Sequence, residues 1–176
     1  MMKRTILALL LAVVCVGANA QFEKKTKYLN ASLTGLDLNY SKNSRFHLGF
    51  EATAGYFVKD SWMIDARAGL NHQVVKAAPD ETSFELGAGF RYYFKSCGIF
   101  LGSGVLYDLT SGPKPTILGT KAKRTDNHVL MPVEAGYCFY VNHYISIEPA
   151  LYYNICLDDF KDASRVGLRL GLGFYF

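Results

Sequence analysis

The stretch VGLRLGLGFYF, residues 166–176, decides the fold class of this sequence. Large apolar side chains occupy every second position, and the positions between them hold glycine, Arg169 and Tyr175. Because successive side chains of a β-strand point to opposite faces, the alternation predicts a strand with one apolar face and one face of small or charged residues. The apolar positions are Val166, Leu168, Leu170, Leu172, Phe174 and Phe176.

The same period of two recurs along most of the chain, and helical periodicity is almost absent. We predict eight strands, at residues 28–40, 46–58, 62–71, 84–94, 99–109, 129–139, 145–155 and 165–176. The apolar phase changes near Thr34 and Gly35, which predicts a β-bulge. Pro132 and Pro149 lack a backbone donor, so local bulges are expected there too. Short connections alternate with longer polar ones, the longest at 111–126.

The N-terminal residues have the pattern of a secretory signal. Lys3 and Arg4 precede an apolar run at 6–16, and Ala18-Asn19-Ala20 is a typical cleavage site. We therefore expect residues 1–20 to be cleaved and residues 21–176 to form one domain outside the cytoplasm.

Composition excludes several classes of protein. A charged fraction of 19% with 14% aromatic residues argues against disorder, and 176 residues make a multi-domain enzyme improbable. A net charge of +4 is too small to indicate nucleic-acid binding.

Eight alternating strands fit either a soluble barrel with an apolar interior or a membrane barrel with an apolar exterior. The polar face favours the membrane barrel, because it carries glycine on nearly every strand, as a narrow lumen requires. The apolar face carries no charged residue, whereas a water-exposed surface would be rich in them. Aromatic residues beside the short turns or at the chain end match an interfacial girdle: Tyr56, Trp62, Phe94, Phe139, Tyr144 and Phe176. We therefore predict an all-β fold, an eight-stranded antiparallel up-and-down transmembrane β-barrel.

On these features the sequence resembles the small outer-membrane β-barrel proteins of Gram-negative bacteria, the porin-family type that includes OmpX-like and OmpA-like barrels. The resemblance implies that Leu170, Leu172, Phe174 and Phe176 form an insertion signal. It also implies the barrel-assembly machinery and periplasmic chaperones as partners during insertion, and outer-membrane lipids and lipopolysaccharide afterwards. Both termini would lie in the periplasm, and no cofactor is expected.

Charged residues on the inward face are predicted to form an ion-pair network in the lumen. Glu51, Glu134 and Arg169 fall near mid-strand, and Arg67, Arg91 and Glu148 fall slightly nearer the short turns. Arginine pairs well with carboxylates, so a structural plug is the favoured interpretation, and an ion path is the alternative.

We expect a non-enzymatic membrane scaffold that presents four surface loops, with a narrow porin-like channel as the alternative. A lipid-modifying enzyme is a third possibility, although Ser103 and His72 fall on different strands at different depths. His47 and His128 are expected to be solvated histidines rather than a metal pair.

Two further residue sets have an open role. Cys97, Cys138 and Cys156 are expected to be free thiols, with Cys97 and Cys138 on non-adjacent elements. Lys114, Lys121, Lys123 and Arg124 are placed in the third long loop, either solvated or in contact with lipid phosphates.

Overall fold

The computed structural model describes residues 22–36, 45–75, 81–114, 122–157 and 164–176. Nine β-strands account for nearly all of these residues: β1 (Lys27–Leu36), β2 (Arg45–Lys59), β3 (Trp62–Val75), β4 (Glu81–Tyr93), β5 (Ile99–Lys114), β6 (Ala122–Tyr137), β7 (Phe139–Tyr140), β8 (Ile145–Cys156) and β9 (Arg165–Tyr175). In the ranges described, no helix is long and apolar enough to cross a membrane, a finding that bears only on helical spans.

The strands form one closed antiparallel sheet. Each of β1 to β5 pairs with the next, β1 also pairs with β9, and β9 pairs with β8. Strand β8 pairs with both β6 and β7 in the same register, so β7 continues β6 beyond Cys138 and the two make one wall strand. The predicted eight-stranded up-and-down barrel is confirmed, and closure leaves no free sheet edge.

The register agrees with one predicted irregularity and contradicts two. The β1–β9 ladder shifts between Thr34 and Leu36, where the sequence predicts a bulge. The prediction of bulges at Pro132 and Pro149 is wrong, because neither ladder through these residues changes register. A proline removes one backbone hydrogen-bond donor. The residues before and after each proline remain paired, so the loss of that hydrogen bond does not shift the register.

The connections at the two ends of the barrel differ, and we name the ends accordingly. The short-turn end carries residues 60–61, 94–98 and 141–144, together with Phe22 and Phe176. The long-loop end carries residues 37–44, 76–80, 115–121 and 158–163, which lie outside the described part. The expected loop at 111–126 is too long, because β5 and β6 stay paired as far as Lys114 and Ala122. A polar hairpin keeps its backbone ladder without apolar alternation, so periodicity does not detect it.

The outer surface is apolar from strand to strand. Leu33, Leu70 and Val105 are each more than half exposed, and many neighbours of the same parity are between a third and a half exposed. At the short-turn end the exposed aromatic residues form a girdle, which consists of Tyr56, Trp62, Phe94, Phe139, Tyr144 and Phe176. Most described charged side chains in the middle of the strands point the other way, into the lumen, and are buried there, whereas Lys27 and Lys59 at the short-turn end are exposed.

Candidate functional site

The middle of the lumen holds an ion cluster centred on Glu134. Its Oε1 accepts hydrogen bonds from Nη2 of Arg67 at 2.9 Å and from Nε of Arg91 at 2.6 Å, and its Oε2 pairs with Arg169. The four side chains come from β6, β3, β4 and β9, and each is at least 95% buried. A single carboxylate therefore ties together four strands around the barrel.

Two further carboxylates offset the charge of these arginines. Nη1 of Arg169 donates to Oε1 of Glu51 at 2.6 Å, and Nε of Arg67 donates to Oδ1 of Asp65 at 2.5 Å. Thr53 adds its hydroxyl to Glu51 at 3.3 Å. Buried arginines without such partners would be costly, so the pairing stabilises the cluster.

Glu148 forms the edge of the cluster toward the short-turn end. Its carboxylate accepts hydrogen bonds from the hydroxyls of Tyr28 at 2.5 Å, Ser146 at 2.6 Å and Tyr175 at 2.8 Å. Nη1 of Arg91 lies 3.7 Å from it and also donates to the Tyr28 hydroxyl at 3.0 Å. Three hydroxyl donors and one guanidinium thus satisfy this buried carboxylate.

The structure brings all six charged residues singled out from the sequence into one connected cluster. It adds residues that the sequence reasoning did not select, namely Asp65, Thr53, Tyr28, Ser146 and Tyr175. The sequence feature that could have identified them is their position in the alternation, because each lies at an inward-facing position of its strand. Which of them share a height depends on the stagger of the strands, which the sequence does not show.

Glycines make room for this cluster. A Cβ built at Gly89 would lie 3.1 Å from Nη2 of Arg67 and 3.2 Å from Oδ1 of Asp65. At Gly102 it would lie 2.5 Å from Oε1 of Glu134. Small residues on the inward face therefore leave the volume that the guanidinium and carboxylate groups fill.

A second ion group lies nearer the long-loop end. Nη2 of Arg165 on β9 contacts Oδ2 of Asp108 at 2.7 Å and Oε1 of Glu85 at 3.2 Å, and Thr110 donates to Asp108 at 3.2 Å. A small cavity between the two groups offers a volume of about 20 Å³ to the centre of a water molecule. That volume suits one or two water molecules and no larger solute.

Aromatic side chains close the lumen at the short-turn end. The ring of Phe22 is fully buried and stacks on Tyr93 with 4.4 Å between ring centroids. The rings of Phe57, Tyr140 and Tyr175 surround it, with centroids 5.9–6.3 Å from that of Phe22. Sequence reasoning missed this plug, because Phe22 precedes the first predicted strand and alternation assigns it no direction.

The residues considered for catalysis do not meet. The hydroxyl of Ser103 donates to the backbone oxygen of Pro132 at 2.9 Å, at the point where the β5–β6 ladder is interrupted. Nδ1 of His72 lies 3.2 Å from the hydroxyl of Thr82 on β4. Ser103 therefore completes the barrel wall, and His72 pairs with a neighbouring strand.

Of the two histidines expected to be solvated, only His128 has a described side chain. Nδ1 of His128 lies 3.9 Å from Sγ of Cys156, whereas the side chain of His47 is outside the described part. Among the described residues no three His, Cys, Asp or Glu side chains form a group that could hold a metal ion.

None of the three described cysteines is in a disulfide. The expectation that Cys97 and Cys138 lie on non-adjacent elements is wrong: Cys97 is in the turn before β5, and the amide of Cys138 donates to the oxygen of Gly98 at 2.9 Å. The pairing of β5 with β6 brings the two segments together.

The proposed insertion signal lies on the outer surface of β9. Leu170 and Leu172 are each half exposed, Phe174 is partly buried, and Phe176 is two-thirds exposed.

Comparison with solved structures places this architecture among known proteins. The N-terminal β-barrel domain of Pseudomonas aeruginosa OprF matches with a TM-score of 0.60 and 13% identity, over 87% of this chain and 98% of that one. Ail, the attachment invasion locus protein of Yersinia pestis, matches with a TM-score of 0.54 and 16% identity, over 88% and 99%. The chain has the fold of the small eight-stranded outer-membrane β-barrels.

That likeness concerns the fold alone. A de novo designed transmembrane β-barrel matches with a TM-score of 0.51 and 12% identity, over 88% of this chain and 98% of that one, so the architecture by itself specifies no activity. No family model matches the sequence, and no curated protein matches it.

Proposed function

We propose that the protein is an integral outer-membrane β-barrel that acts as a closed, non-enzymatic scaffold and presents four loops at the cell surface. The observation that carries the proposal is the reversal of ordinary burial, with exposed leucines outside and buried arginines inside. Water would disfavour such an exterior, whereas hydrocarbon favours it. Because lipid cannot satisfy backbone groups, a closed barrel is one of the few structures that can cross it.

The orientation follows from the two ends of the barrel. Outer-membrane barrels have short periplasmic turns and longer extracellular loops. The short-turn end, with Phe22 and Phe176, would then face the periplasm, as a leader cleaved after Ala20 requires. Residues 37–44, 76–80, 115–121 and 158–163 would face outward as the four presented loops.

Extraction and gel migration test the membrane barrel. The protein should fractionate with outer membranes and require detergent for release. Unboiled samples should migrate faster than boiled ones, because a folded barrel resists dodecyl sulfate until heated. Equal mobility of boiled and unboiled samples, or a folded protein that is soluble without detergent, would overturn the proposal.

The alternative of a narrow channel is opposed by two obstructions in series. The Glu134 cluster fills the middle of the lumen, and the Phe22 ring closes the short-turn end. Eight-stranded barrels are only wide enough for side chains to fill. Recordings in planar bilayers should therefore show no defined conductance steps. Reproducible steps that disappear when Arg169 is replaced by tryptophan would establish the channel instead.

The absence of enzymatic activity is likewise part of the proposal. Ser103 is engaged with the wall and His72 with Thr82, so no nucleophile and base are in reach of each other at these positions. Purified protein incubated with lipopolysaccharide or phospholipid should leave the acyl chains unchanged by mass spectrometry. Released or transferred acyl chains would refute this part.

A further inference from the structure

A crescent of lysines borders the barrel at the short-turn end. It consists of Lys24, Lys25, Lys27, Lys59 and Lys95. The first four side chains are exposed, and the Lys95 side chain is 40% exposed. We propose that this lysine crescent binds the phosphate groups of anionic phospholipids in the membrane leaflet on that side. The inference rests on the membrane location proposed above and adds a specific lipid class to it.

The lysine crescent occupies three of the four places where the chain reaches the short-turn end. It follows the start of β1, the β2–β3 turn and the β4–β5 turn, which are consecutive around the wall. The β7–β8 turn at 141–144 carries His143 and no lysine. The lysines therefore follow one another along the rim from β1 to β5.

The height of the lysines matches lipid headgroups. Lys27 exchanges two backbone hydrogen bonds of 2.9 Å with Phe176, and Lys59 is the ladder partner of Trp62. Lys95 directly follows Phe94. Phe176, Trp62 and Phe94 belong to the girdle, and girdle aromatics lie at the membrane interface. Long lysine stems can follow apolar surface and place their ammonium groups beside the phosphates.

The local charge is strongly positive. Two exposed side-chain carboxylates, Glu23 and Asp60, share this end with the five lysines, so the exposed side chains carry a formal surplus of 5 − 2 = +3. Asp60 is already engaged, by the amide of Lys24 at 2.9 Å and by Nζ of Lys95 at 3.1 Å. Within the described part of the chain, no carboxylate lies at ion-pair distance from Lys25, Lys27 or Lys59. These three ammonium groups are therefore available to a ligand, and clustered basic residues attract anionic lipid.

Native mass spectrometry of the folded protein tests the proposal. The protein is released from mixed micelles that contain equal amounts of phosphatidylglycerol and phosphatidylcholine with the same acyl chains. The wild type should retain more phosphatidylglycerol, and the triple variant Lys25→Gln, Lys27→Gln, Lys59→Gln should lose that preference. Each lysine near an anionic surface contributes about a fivefold gain in binding, and the preference should weaken at high salt.

Two control variants separate local contact from net charge. Lys114→Gln, Lys121→Gln, Lys123→Gln removes the same charge from the long-loop end and should leave the preference unchanged. Replacing Lys25, Lys27 and Lys59 by arginine should also preserve it. Every variant is checked first for the heat-dependent gel shift. If the triple glutamine variant does not fold, Lys25→Gln, which lies outside the strands, is measured alone and should reduce the preference about fivefold.

Three outcomes would overturn the proposal. They are equal retention of both lipids by the wild type, an unchanged preference in the triple glutamine variant, and an equally strong loss of preference in the long-loop variant. A wild type without lipid preference that is retained on immobilised anionic cell-wall fragments would assign the lysine crescent to that polymer. Failure of the gel shift in the wild type would instead reject the membrane barrel itself, so the two failures are distinguishable.

Discussion

Arg67 on β3 and Glu134 on β6 meet across the lumen, with 2.9 Å between Nη2 and Oε1, although 67 residues separate them in the chain. Strands β3 and β6 are not neighbours in the wall. The backbone ladder connects each strand only to the next, so this contact spans the hollow of the barrel rather than its circumference. Glu134 makes two more such contacts, with Arg91 and Arg169. The interior thus adds ties between strands that the wall alone does not connect.

Replacement of Glu134 by glutamine should destabilise the barrel more than any other single neutralisation in the lumen. The change leaves Arg67, Arg91 and Arg169 buried with one carboxylate fewer. Breaking a buried pair costs about 3 kcal/mol or more. Urea unfolding in detergent micelles, followed by the fluorescence of the single tryptophan, Trp62, measures the loss.

Glu23→Gln is the matched control, because Glu23 is an exposed carboxylate outside the strands. Its effect should stay within about 0.5 kcal/mol. A Glu134→Gln variant as stable as this control would mean that the ion cluster contributes nothing to stability.

Two inward glycines should respond differently to alanine. A Cβ at Gly104 would lie 2.7 Å from Cα of Gly89 and would overlap the Ala88 carbonyl, so backbone of β4 would have to move. Gly104→Ala should therefore cost about 2 kcal/mol. At Gly69 the nearest atom would be 3.5 Å away, and alanine should gain about 0.5 kcal/mol. Equal effects in urea unfolding would contradict this steric account.

The sequence predicted the barrel well because period two is a property of each strand alone. The odd or even position of Glu51, Glu134 and Arg169 along their strands predicts that their side chains point inward. The same rule predicts which residues line the lumen. Which inward residues touch depends on the stagger between strands. That stagger places Glu148 among Tyr28, Tyr175 and Ser146, which no single strand reveals.

Features without alternation escaped prediction. Phe22 has no strand periodicity to assign its direction, yet it seals the short-turn end. The polar hairpin that extends β5 to Lys114 was predicted as loop, and Pro132 was predicted to bulge. The hairpin ladder continues from well-paired neighbours, whereas the β5–β6 ladder is interrupted beside Pro132 and resumes in the same register, so pairing on either side fixes the register in both places.

Asp60 should make the stability of the contact between the N-terminal segment and the β2–β3 turn depend on pH. Its hydrogen bond from the Lys24 amide, followed by its contact with Lys95, lowers the pKa of the Asp60 carboxyl below its ordinary value of 3.8. A lowered pKa in the folded state means that the stabilisation is complete above the ordinary value and is lost as the pH falls through the lowered one. The wild type should therefore resist heat better than Asp60→Asn at neutral pH, and the difference should vanish in acid.

Samples for that comparison are heated at each pH and then run on a gel at neutral pH, and the temperature that abolishes the fast band is recorded. The exposed Glu23→Gln variant serves as the reference. A difference between wild type and Asp60→Asn that grows as the pH falls would have the opposite sign and would refute the assignment.

The cysteines should differ in reactivity toward a large maleimide. Cys138 and Cys156 are each 1% exposed, whereas Cys97 lies partly exposed in the β4–β5 turn. The mature folded protein should take up one label, and the boiled protein should take up three. One label after boiling would mean that a disulfide joins two of them, and three labels without boiling would mean that the lumen is open to the reagent.

Phe176 should matter for assembly in cells and little for the folded barrel. Its side chain is 66% exposed, and only its backbone pairs with Lys27, so Phe176→Ser keeps both hydrogen bonds. Purified variant and wild type should therefore refold in detergent with the same gel shift, whereas the amount in outer membranes should fall severalfold. Tyr144→Ser is the matched control, because Tyr144 is also 66% exposed at the same end but lies outside the C-terminal strand. If both variants accumulate equally, Phe176 acts as a girdle residue and not as an insertion signal. A girdle residue can lie at any exposed position of this end, whereas an insertion signal requires the position directly after β9.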